Sequence, residues 1–222
     1  MSPAPEAALA FAFVDLAGFT ALTEAHGDAS AAGVAERFYG LCEHALVGDT
    51  RVVKHIGDAV MLVSTSPEAM ARTLLALAAQ IDAVPEFPGF RAGFHTGPAV
   101  ERGGDYFGAA VNLASRVAAH ARSGQILCTR PVATALEAAG LGTCAPSGVA
   151  RFKNVAEAVE VLVLERAPAS TSGEELDPVC RMRIDRASAP ATLPYAGRTW
   201  AFCSFECAQR FAREPEAYAT MT

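Results

Sequence analysis

The stretch Val52-Val-Lys-His-Ile-Gly-Asp-Ala-Val-Met-Leu-Val63 contains two β-patterned runs joined by Gly57-Asp58. A Gly-Asp pair between such runs is typical of a tight turn, so the sequence predicts a β-hairpin with an acidic tip. Upstream, the apolar run at 8–14 predicts another strand, which ends at Asp15. The fold is therefore expected to contain a sheet in which two neighbouring strand ends carry aspartates.

Longer helical patterns alternate with strands along the rest of this region. The segment 18–46 has a helical pattern with a break near Gly27. Apolar periodicity predicts further helices at 67–81, 107–121 and 131–139, and further strands at 90–95, 125–128 and 158–164. This order of elements predicts a mixed α/β (α+β) domain.

A domain boundary is indicated by the run Ala167-Pro-Ala-Ser-Thr-Ser-Gly-Glu-Glu-Leu176, which is small, polar and without periodicity. The chain has 222 residues, which is longer than the usual single domain of roughly 100 to 150. We therefore expect a domain at 1–166, a flexible linker at 167–176 and a small module at 177–222.

The charge and hydropathy of the chain exclude several classes of partner. A formal net charge of -6 and a pI near 5.4 argue against nucleic acid or an anionic membrane, because both require a basic face. The sequence contains no apolar run long enough to span a membrane, and its N-terminus lacks the basic start of a signal peptide. We expect a cytoplasmic location, in which thiols stay reduced.

Polar residues in two places are candidates for a functional site. Asp15 and Asp58 taken singly fit helix capping and turn formation. As a pair on neighbouring strands, they have the chemistry to hold two hard divalent ions about 3.5 to 4 Å apart, as two-metal nucleotidyl transfer requires. Downstream, Asn112 and Arg116 are four residues apart and share one helix face, which in an isolated helix would be the solvated side.

Across residues 8–165 the sequence resembles the class III nucleotidyl cyclases. Phe13-Val-Asp-Leu-Ala-Gly-Phe-Thr20 is similar to the first metal motif of that family, and Lys54-His-Ile-Gly-Asp58 is similar to its substrate lysine and second metal aspartate. The positions that match in residue type and spacing are Asp15, Lys54, Asp58, Asp105, Asn112 and Arg116. The resemblance implies a ferredoxin-like, palm-type fold with a central, mainly antiparallel sheet flanked by helices.

The same resemblance implies an adenylate cyclase that converts ATP to 3′,5′-cyclic AMP and pyrophosphate. Asp15 and Asp58 are then expected to bind two Mg²⁺ or Mn²⁺ ions. Arg116 is expected to stabilise the charge that develops on the α-phosphate, and Asn112 to orient the ribose.

Base selection is assigned by the resemblance to Lys54 and Asp105, since lysine donates to adenine N1 and aspartate accepts from the exocyclic amine. Guanine reverses this pattern, and guanylate-specific relatives usually carry residues such as Glu and Cys here. A guanylate cyclase is therefore the weaker alternative. Phe19 and Thr20 in the first metal motif, and Lys153 in a late family-like segment, are further expected substrate contacts.

The resemblance also implies a homodimer. In this family the metal aspartates of one protomer face the lysine, second aspartate, asparagine and arginine of its partner, and one chain here carries the complete set. An alternative from another class is a catalytically silent cyclase-like domain in a metal-responsive sensor or metal-handling protein.

The C-terminal segment holds three of the six cysteines, and this clustering favours metal binding over a disulfide framework. It resembles a YHS module at about 176–220, which implies a small, Cys-containing ββα-like unit. Cys203 and Cys207 are four residues apart at a predicted helix start, Cys180 comes from the preceding loop, and three thiolates favour Zn²⁺ or Cu⁺. The module has no His, which leaves the fourth ligand open between water, a carboxylate and none.

Two further features of the module bear on its role. Arg181 stands where the resembled family usually has Gly. A unit of this size has a small core, so a structural zinc that staples the fold is one hypothesis. The other is a sensor through which the metal regulates the cyclase.

Overall fold

The computed structural model describes residues 8–166 and 173–219. Its strands are β1 (Leu9–Leu16), β2 (Arg51–Ile56), β3 (Ala59–Ser64), β4 (Phe90–Gly97), β5 (Val100–Arg102), β6 (Asp105–Phe107), β7 (Ile126–Thr129), β8 (Cys144–Ala150), β9 (Val159–Leu164), β10 (Glu174–Leu176), β11 (Arg183–Asp185), β12 (Ala191–Tyr195) and β13 (Arg198–Phe202). Its helices are α1 (Phe19–His26), α2 (Asp28–His44), α3 (Pro67–Asp82), α4 (Ala109–His120), α5 (Arg130–Ala138), α6 (Phe205–Arg213) and α7 (Pro215–Ala219). Within the described ranges, none of these helices has both the length and the apolarity to cross a membrane.

A seven-stranded sheet in the order β2-β3-β1-β4-β7-β9-β8 forms the centre of the large domain. Strand β4 pairs with β7 in parallel, and the other neighbours are antiparallel. The expected mixed α/β fold with a mainly antiparallel central sheet is therefore confirmed.

Helices cover both faces of this sheet, as the alternation along β1 requires. Ala12 and Val14 face a core that includes Phe38 of α2, together with residues of α3 and α5. Phe11 faces the opposite side, where it packs with Met61 and with residues of α4. The sheet is thus the middle layer of three.

Helix α4 approaches the sheet closely because β4 has a glycine at the crossing point. A Cβ atom built on Gly93 would lie 2.1 Å from the backbone nitrogen of Ala118, so no larger residue fits without moving the helix. This contact sets the distance from the sheet of helix α4, which carries Asn112 and Arg116.

The C-terminal module, residues 173–219, consists of the hairpins β10–β11 and β12–β13 followed by α6 and α7. Its core surrounds Phe211, whose ring lies 5.3 Å from that of Trp200 and 5.2 Å from that of Phe202. Leu22 of α1 and Ala31 of α2 belong to the same buried cluster. The module therefore packs directly against the first two helices of the large domain.

Arg183 of β11 attaches the module to the end of α3. Its guanidinium donates to the backbone oxygens of Ile81 (2.5 Å), Val84 (3.2 Å) and Phe87 (3.2 Å), and pairs with Asp82 at 3.3 Å. Carbonyl groups at a helix C-terminus lack intrahelical partners and carry partial negative charge, which suits a buried cation.

Three elements differ from the sequence-based expectations. The helix expected at 107–121 begins only at Ala109, because Asp105–Phe107 pairs with β5. Strand β8 was not expected, since Pro146 and Gly148 interrupt its pattern at a register shift. Of the predicted linker, 167–172 lies outside the described residues, whereas Glu174–Leu176 forms β10 and pairs with β11.

Candidate active site and C-terminal metal centre

The two aspartates of the predicted metal site lie together at one edge of the sheet. Asp15 pairs in register with Ala59, and Asp58 forms the turn that precedes it. The hydroxyl of Tyr39 donates to the backbone oxygen of Gly57 and holds this turn. Burial, followed by the charge of Asp15, raises the pKa of Asp58 to about 6. Two carboxylates that repel one another in this way form a suitable oxygen donor set for a hard divalent cation.

Arg91 lies beside this acidic pair, and the sequence analysis did not identify it. It is opposite Asp15 in the β1–β4 register. Its Nε and Nη2 atoms both donate to Oδ2 of Asp15, at 2.8 and 2.5 Å. The available signal was an arginine within the run Phe90-Arg-Ala-Gly-Phe94, which is otherwise apolar.

The predicted base-selecting residues form an ion pair. Nζ of Lys54 on β2 donates to Oδ2 of Asp105 on β6 at 2.5 Å. Oδ1 of Asp105 accepts from the backbone nitrogen of Tyr106 at 2.8 Å, which fixes the carboxylate plane. The hydrogen bond from Lys54 lowers the pKa of Asp105. Both side chains are partly exposed and within reach of a ligand.

The remaining predicted contacts lie in different settings. Asn112 is exposed and Arg116 is half-buried, both on α4. Phe19 packs between the core of the large domain and that of the module, so it is largely used in packing. Thr20 lies exposed in the first turn of α1, and Lys153 lies exposed between β8 and β9. Their substrate contacts stay predictions.

The three cysteines of the module converge with a histidine of the large domain. Sγ of Cys203 lies 3.4 Å from Sγ of Cys180 and 3.7 Å from Sγ of Cys207. Nε2 of His26, the last residue of α1, lies 3.5 Å from Sγ of Cys203 and 3.7 Å from Sγ of Cys207. All three cysteines are free thiols. These four residues form a group that could hold a metal ion.

Comparison with protein families identifies two domains in this chain. Residues 2–153 match the model of the adenylate and guanylate cyclase catalytic domain. The chain belongs to this cyclase family. Residues 176–222 match the YHS domain, so both resemblances are confirmed. Together with the thiol cluster, the second match indicates a metal-binding module.

Curated relatives match a little over half of this chain. The pH-sensitive adenylate cyclase of Mycobacterium tuberculosis (strain CDC 1551 / Oshkosh) is 42% identical over 125 residues, which are 56% of this chain and 32% of that protein. An adenylate cyclase of Glutamicibacter nicotianae is 34% identical over 121 residues, 54% of this chain and 30% of that protein. The chain thus spans about a third of the length of these relatives.

Solved cyclase structures share the fold. A structure of adenylate cyclases from Trypanosoma brucei in their monomeric state has a TM-score of 0.68 at 20% identity, and the match covers 83% of this chain and 98% of that one. The adenylyl cyclase CyaB from P. aeruginosa has a TM-score of 0.59 at 19% identity and covers 74% of this chain and 97% of that structure. At these identities the likeness concerns the fold alone.

Asp177 joins the two cysteine-bearing segments of the YHS module. Its fully buried carboxylate accepts from the backbone nitrogens of Val179 (2.8 Å) and Cys180 (3.2 Å) through Oδ1, and from that of Cys203 (2.8 Å) through Oδ2. Burial raises the pKa of Asp177, and the three N–H donors compensate for part of that cost. The carboxylate therefore sets the spacing of the sulfurs.

Hydrogen bonds within the thiol cluster separate the pKa values of its members. Those donated by Cys180 and Cys203 lower the pKa of Cys207, whereas the pKa of Cys203 is raised. Cys207 also lies in the first turn of α6, whose N-terminus favours negative charge.

Arg181, which replaces the usual glycine, adopts a positive φ of 64°. This is the left-handed conformation that glycine adopts most easily, which explains the family preference. The Cβ of Arg181 occupies the space above Gly18, where an added Cβ would lie 2.5 Å away. The loop that carries Arg181 is thus packed against the turn that follows Asp15.

Proposed function

We propose that the protein is an adenylate cyclase, which converts ATP to 3′,5′-cyclic AMP and pyrophosphate by two-metal-ion catalysis at a homodimer interface. The observation that carries the proposal is the pairing of Asp15 and Asp58 at one sheet edge, with a raised pKa at Asp58. Mg²⁺ or Mn²⁺ ions bound there would supply activation of the ribose 3′-hydroxyl and neutralisation of the triphosphate.

The cyclase domain's own residues provide the remaining functions. Arg91 orients the Asp15 carboxylate through two bonds to one oxygen, and its permanent charge lies where a triphosphate would approach. Arg116 offers a planar, multidentate donor for the α-phosphate. Asn112 lies one helical turn before it and orients the ribose.

The Lys54–Asp105 pair supports ATP as the substrate. Without a nucleotide, Lys54 and Asp105 form a hydrogen bond with each other. With adenine present, the ammonium group donates to N1 and the carboxylate accepts from the exocyclic amine, so one ion pair is exchanged for two base contacts. Guanine presents a donor at N1 and an acceptor at O6. The Lys54 ammonium would then face another donor, and the Asp105 carboxylate would face another acceptor.

The proposal of a homodimer is supported by exposed apolar residues near these groups. Ile56, between Lys54 and Asp58, is 45% exposed, and Val100 and Phe107, which pair across β5 and β6, are 43% and 54% exposed. Apolar surface of this kind beside polar ligands is typical of an interface. We place the protein in the cytoplasm, where ATP is available and the thiols stay reduced.

The purified chain incubated with ATP and Mn²⁺ tests this function. Cyclic AMP is expected, with the Asp15→Asn variant as the inactive control and GTP as the poorer substrate. Cyclic AMP no higher than in that control would favour the catalytically silent domain. Faster turnover of GTP would instead assign a guanylate cyclase.

A further inference from the structure

The fourth member of the thiol cluster comes from the cyclase domain rather than from the YHS module. His26 ends α1 and is separated from Cys203 by 177 positions. The four ligand atoms, Nε2 of His26 and the three sulfurs, lie within 4.8 Å of one another. This residue lies outside the module, in a different domain from the three cysteines.

The spacing of these atoms fits a single tetrahedral ion. With Zn–S near 2.3 Å and Zn–N near 2.0 to 2.1 Å, a tetrahedral site has sulfurs about 3.8 Å apart and sulfur about 3.5 to 3.6 Å from nitrogen. Two of the three sulfur–sulfur distances are 3.4 and 3.7 Å, two of the three sulfur–nitrogen distances are 3.5 and 3.7 Å, and the pairs of Cys180 with Cys207 and with His26 lie within 4.8 Å. A disulfide would require sulfurs about 2.05 Å apart.

We propose that His26, Cys180, Cys203 and Cys207 form one Cys₃His zinc site, and that the ion fastens the YHS module to helix α1 of the cyclase domain. Three thiolates and one imidazole complete the four-coordinate shell of a structural Zn²⁺. Asp177 holds the Cys180 and Cys203 segments at the required separation. No protein ligand is then missing.

The attachment point gives the ion a connection to the active site. Helix α1 begins directly after the turn that follows Asp15, and Leu22 in its middle is buried in the core of the module. The module also presses Arg181 against Gly18 in that turn. Zinc binding should therefore make the Asp15 turn and helix α1 more rigid. This effect does not depend on whether the cyclase is active.

Coordination is tested first on the unaltered chain. Purified under reducing conditions, it is expected to contain one zinc per chain, and Zn K-edge X-ray absorption is expected to show three sulfurs and one imidazole. His26→Ala should weaken zinc binding by at least about 10-fold to 100-fold, since even the loss of an outer-shell partner has that effect. Co²⁺ bound to this variant should show an altered visible spectrum. His44→Ala, at the exposed end of α2, is the matched control and should leave both unchanged.

The fastening is tested by amide hydrogen exchange. Removing zinc with a chelator should speed exchange in both α1 and α6 of the unaltered chain and of His44→Ala. In His26→Ala, exchange in α1 should be fast whether or not zinc is present. The proposal is overturned if the unaltered chain binds no zinc, if its spectrum lacks imidazole, or if His26→Ala keeps native zinc affinity and metal-dependent protection of α1.

Discussion

Arg91 and Asp15 face each other across β4 and β1, and the guanidinium places two hydrogen bonds of 2.8 and 2.5 Å on a single carboxylate oxygen. The side chain of Asp15 is 18% exposed and that of Arg91 is 35% exposed, so solvent screens this pair only in part. The charge of Arg91 also acts on Asp58, whose pKa it lowers against the larger effects of burial and Asp15. Arg91, Asp15 and Asp58 therefore form one electrostatic unit, in which the two neighbouring charges act on the pKa of Asp58.

The pH dependence of Mn²⁺ binding follows from this unit. Protonated Asp58 cannot hold a divalent ion, so the affinity for Mn²⁺ should fall as the pH drops through about 6. Replacing Arg91 by Gln removes the effect that lowers the pKa of Asp58, and the fall should then begin at a higher pH. Calorimetric titration with Mn²⁺ between pH 5 and 8 measures both, with Arg72→Gln on exposed α3 surface as control. An unchanged profile in the Arg91 variant would separate Arg91 from the metal site.

Burial of Asp58 and its repulsion by Asp15 should appear in the stability of the metal-free protein. The pKa of Asp58 is raised to about 6 in the fold from its ordinary value of 3.8, so the folded state binds more protons than the unfolded chain between these two pH values. Stability should therefore decrease as the pH rises from about 4 to above 6. Asp58→Asn should raise the free energy of unfolding at pH 7.5 by about 1 kcal/mol, a figure reduced for the partial exposure of the carboxylate, and have little effect at pH 4. Equal effects at both pH values in chelator-treated samples would contradict this.

Substituting the base-selecting lysine tests the choice of ATP. Lys54→Arg keeps the charge but replaces a compact ammonium with a wider, planar donor. We expect kcat/KM for ATP to fall about 10-fold or more, which corresponds to about 1.4 kcal/mol of lost transition-state binding. Arg72→Lys, the same exchange reversed on the exposed face of α3, should have no effect. Undiminished ATP turnover in Lys54→Arg would remove base selection from this residue.

The sequence predicted those parts of the molecule whose signals are local. The hairpin at 52–63 and the strand before Asp15 could be recognised because alternation and turn residues lie within a few positions. Strand β8 was missed because Pro146 and Gly148 break its alternation, and its pairing with β9 is settled by the sheet. The same sheet register, not any local pattern, brings Arg91 to Asp15.

Sequence patterns do not predict the contacts between the two domains. His26 lies in an ordinary helix end, and nothing near it along the chain suggests a ligand. Its role becomes visible only once packing of Leu22 against the YHS module brings α1 to the cysteines. Ligand sets built across a domain interface have no characteristic spacing, which is why the fourth ligand stayed open.

Docking of the module should depend on Arg183. The side chain is 13% exposed and donates to backbone oxygens in the last turn of α3 and just beyond it, as well as to Asp82. Arg183→Ala should lower the free energy of unfolding by about 2 kcal/mol, since it removes a donor from these carbonyls, whereas Asp82 keeps its ion pair with Arg166. Arg186→Ala removes a surface pair to Glu175, where the arginine side chain is 44% exposed, and should cost about 1 kcal/mol or less. Denaturant unfolding of both variants measures the difference, and similar values would show that Arg183 does not hold the interface.

The most direct test of the account mixes two inactive variants. Asp15→Asn lacks the metal half of the site and Arg116→Ala lacks the phosphate half, so neither should form cyclic AMP alone. A heterodimer of the two regains one intact site, and random exchange of equal amounts should restore about a quarter of the unaltered activity, because half of the dimers carry one of two sites. Mixing Asp15→Asn with Asp58→Asn, which damage the same half, should restore nothing. If the first mixture forms cyclic AMP and the second does not, the protein is an adenylate cyclase whose sites are shared between protomers. If both mixtures are equally inactive, this account is contradicted.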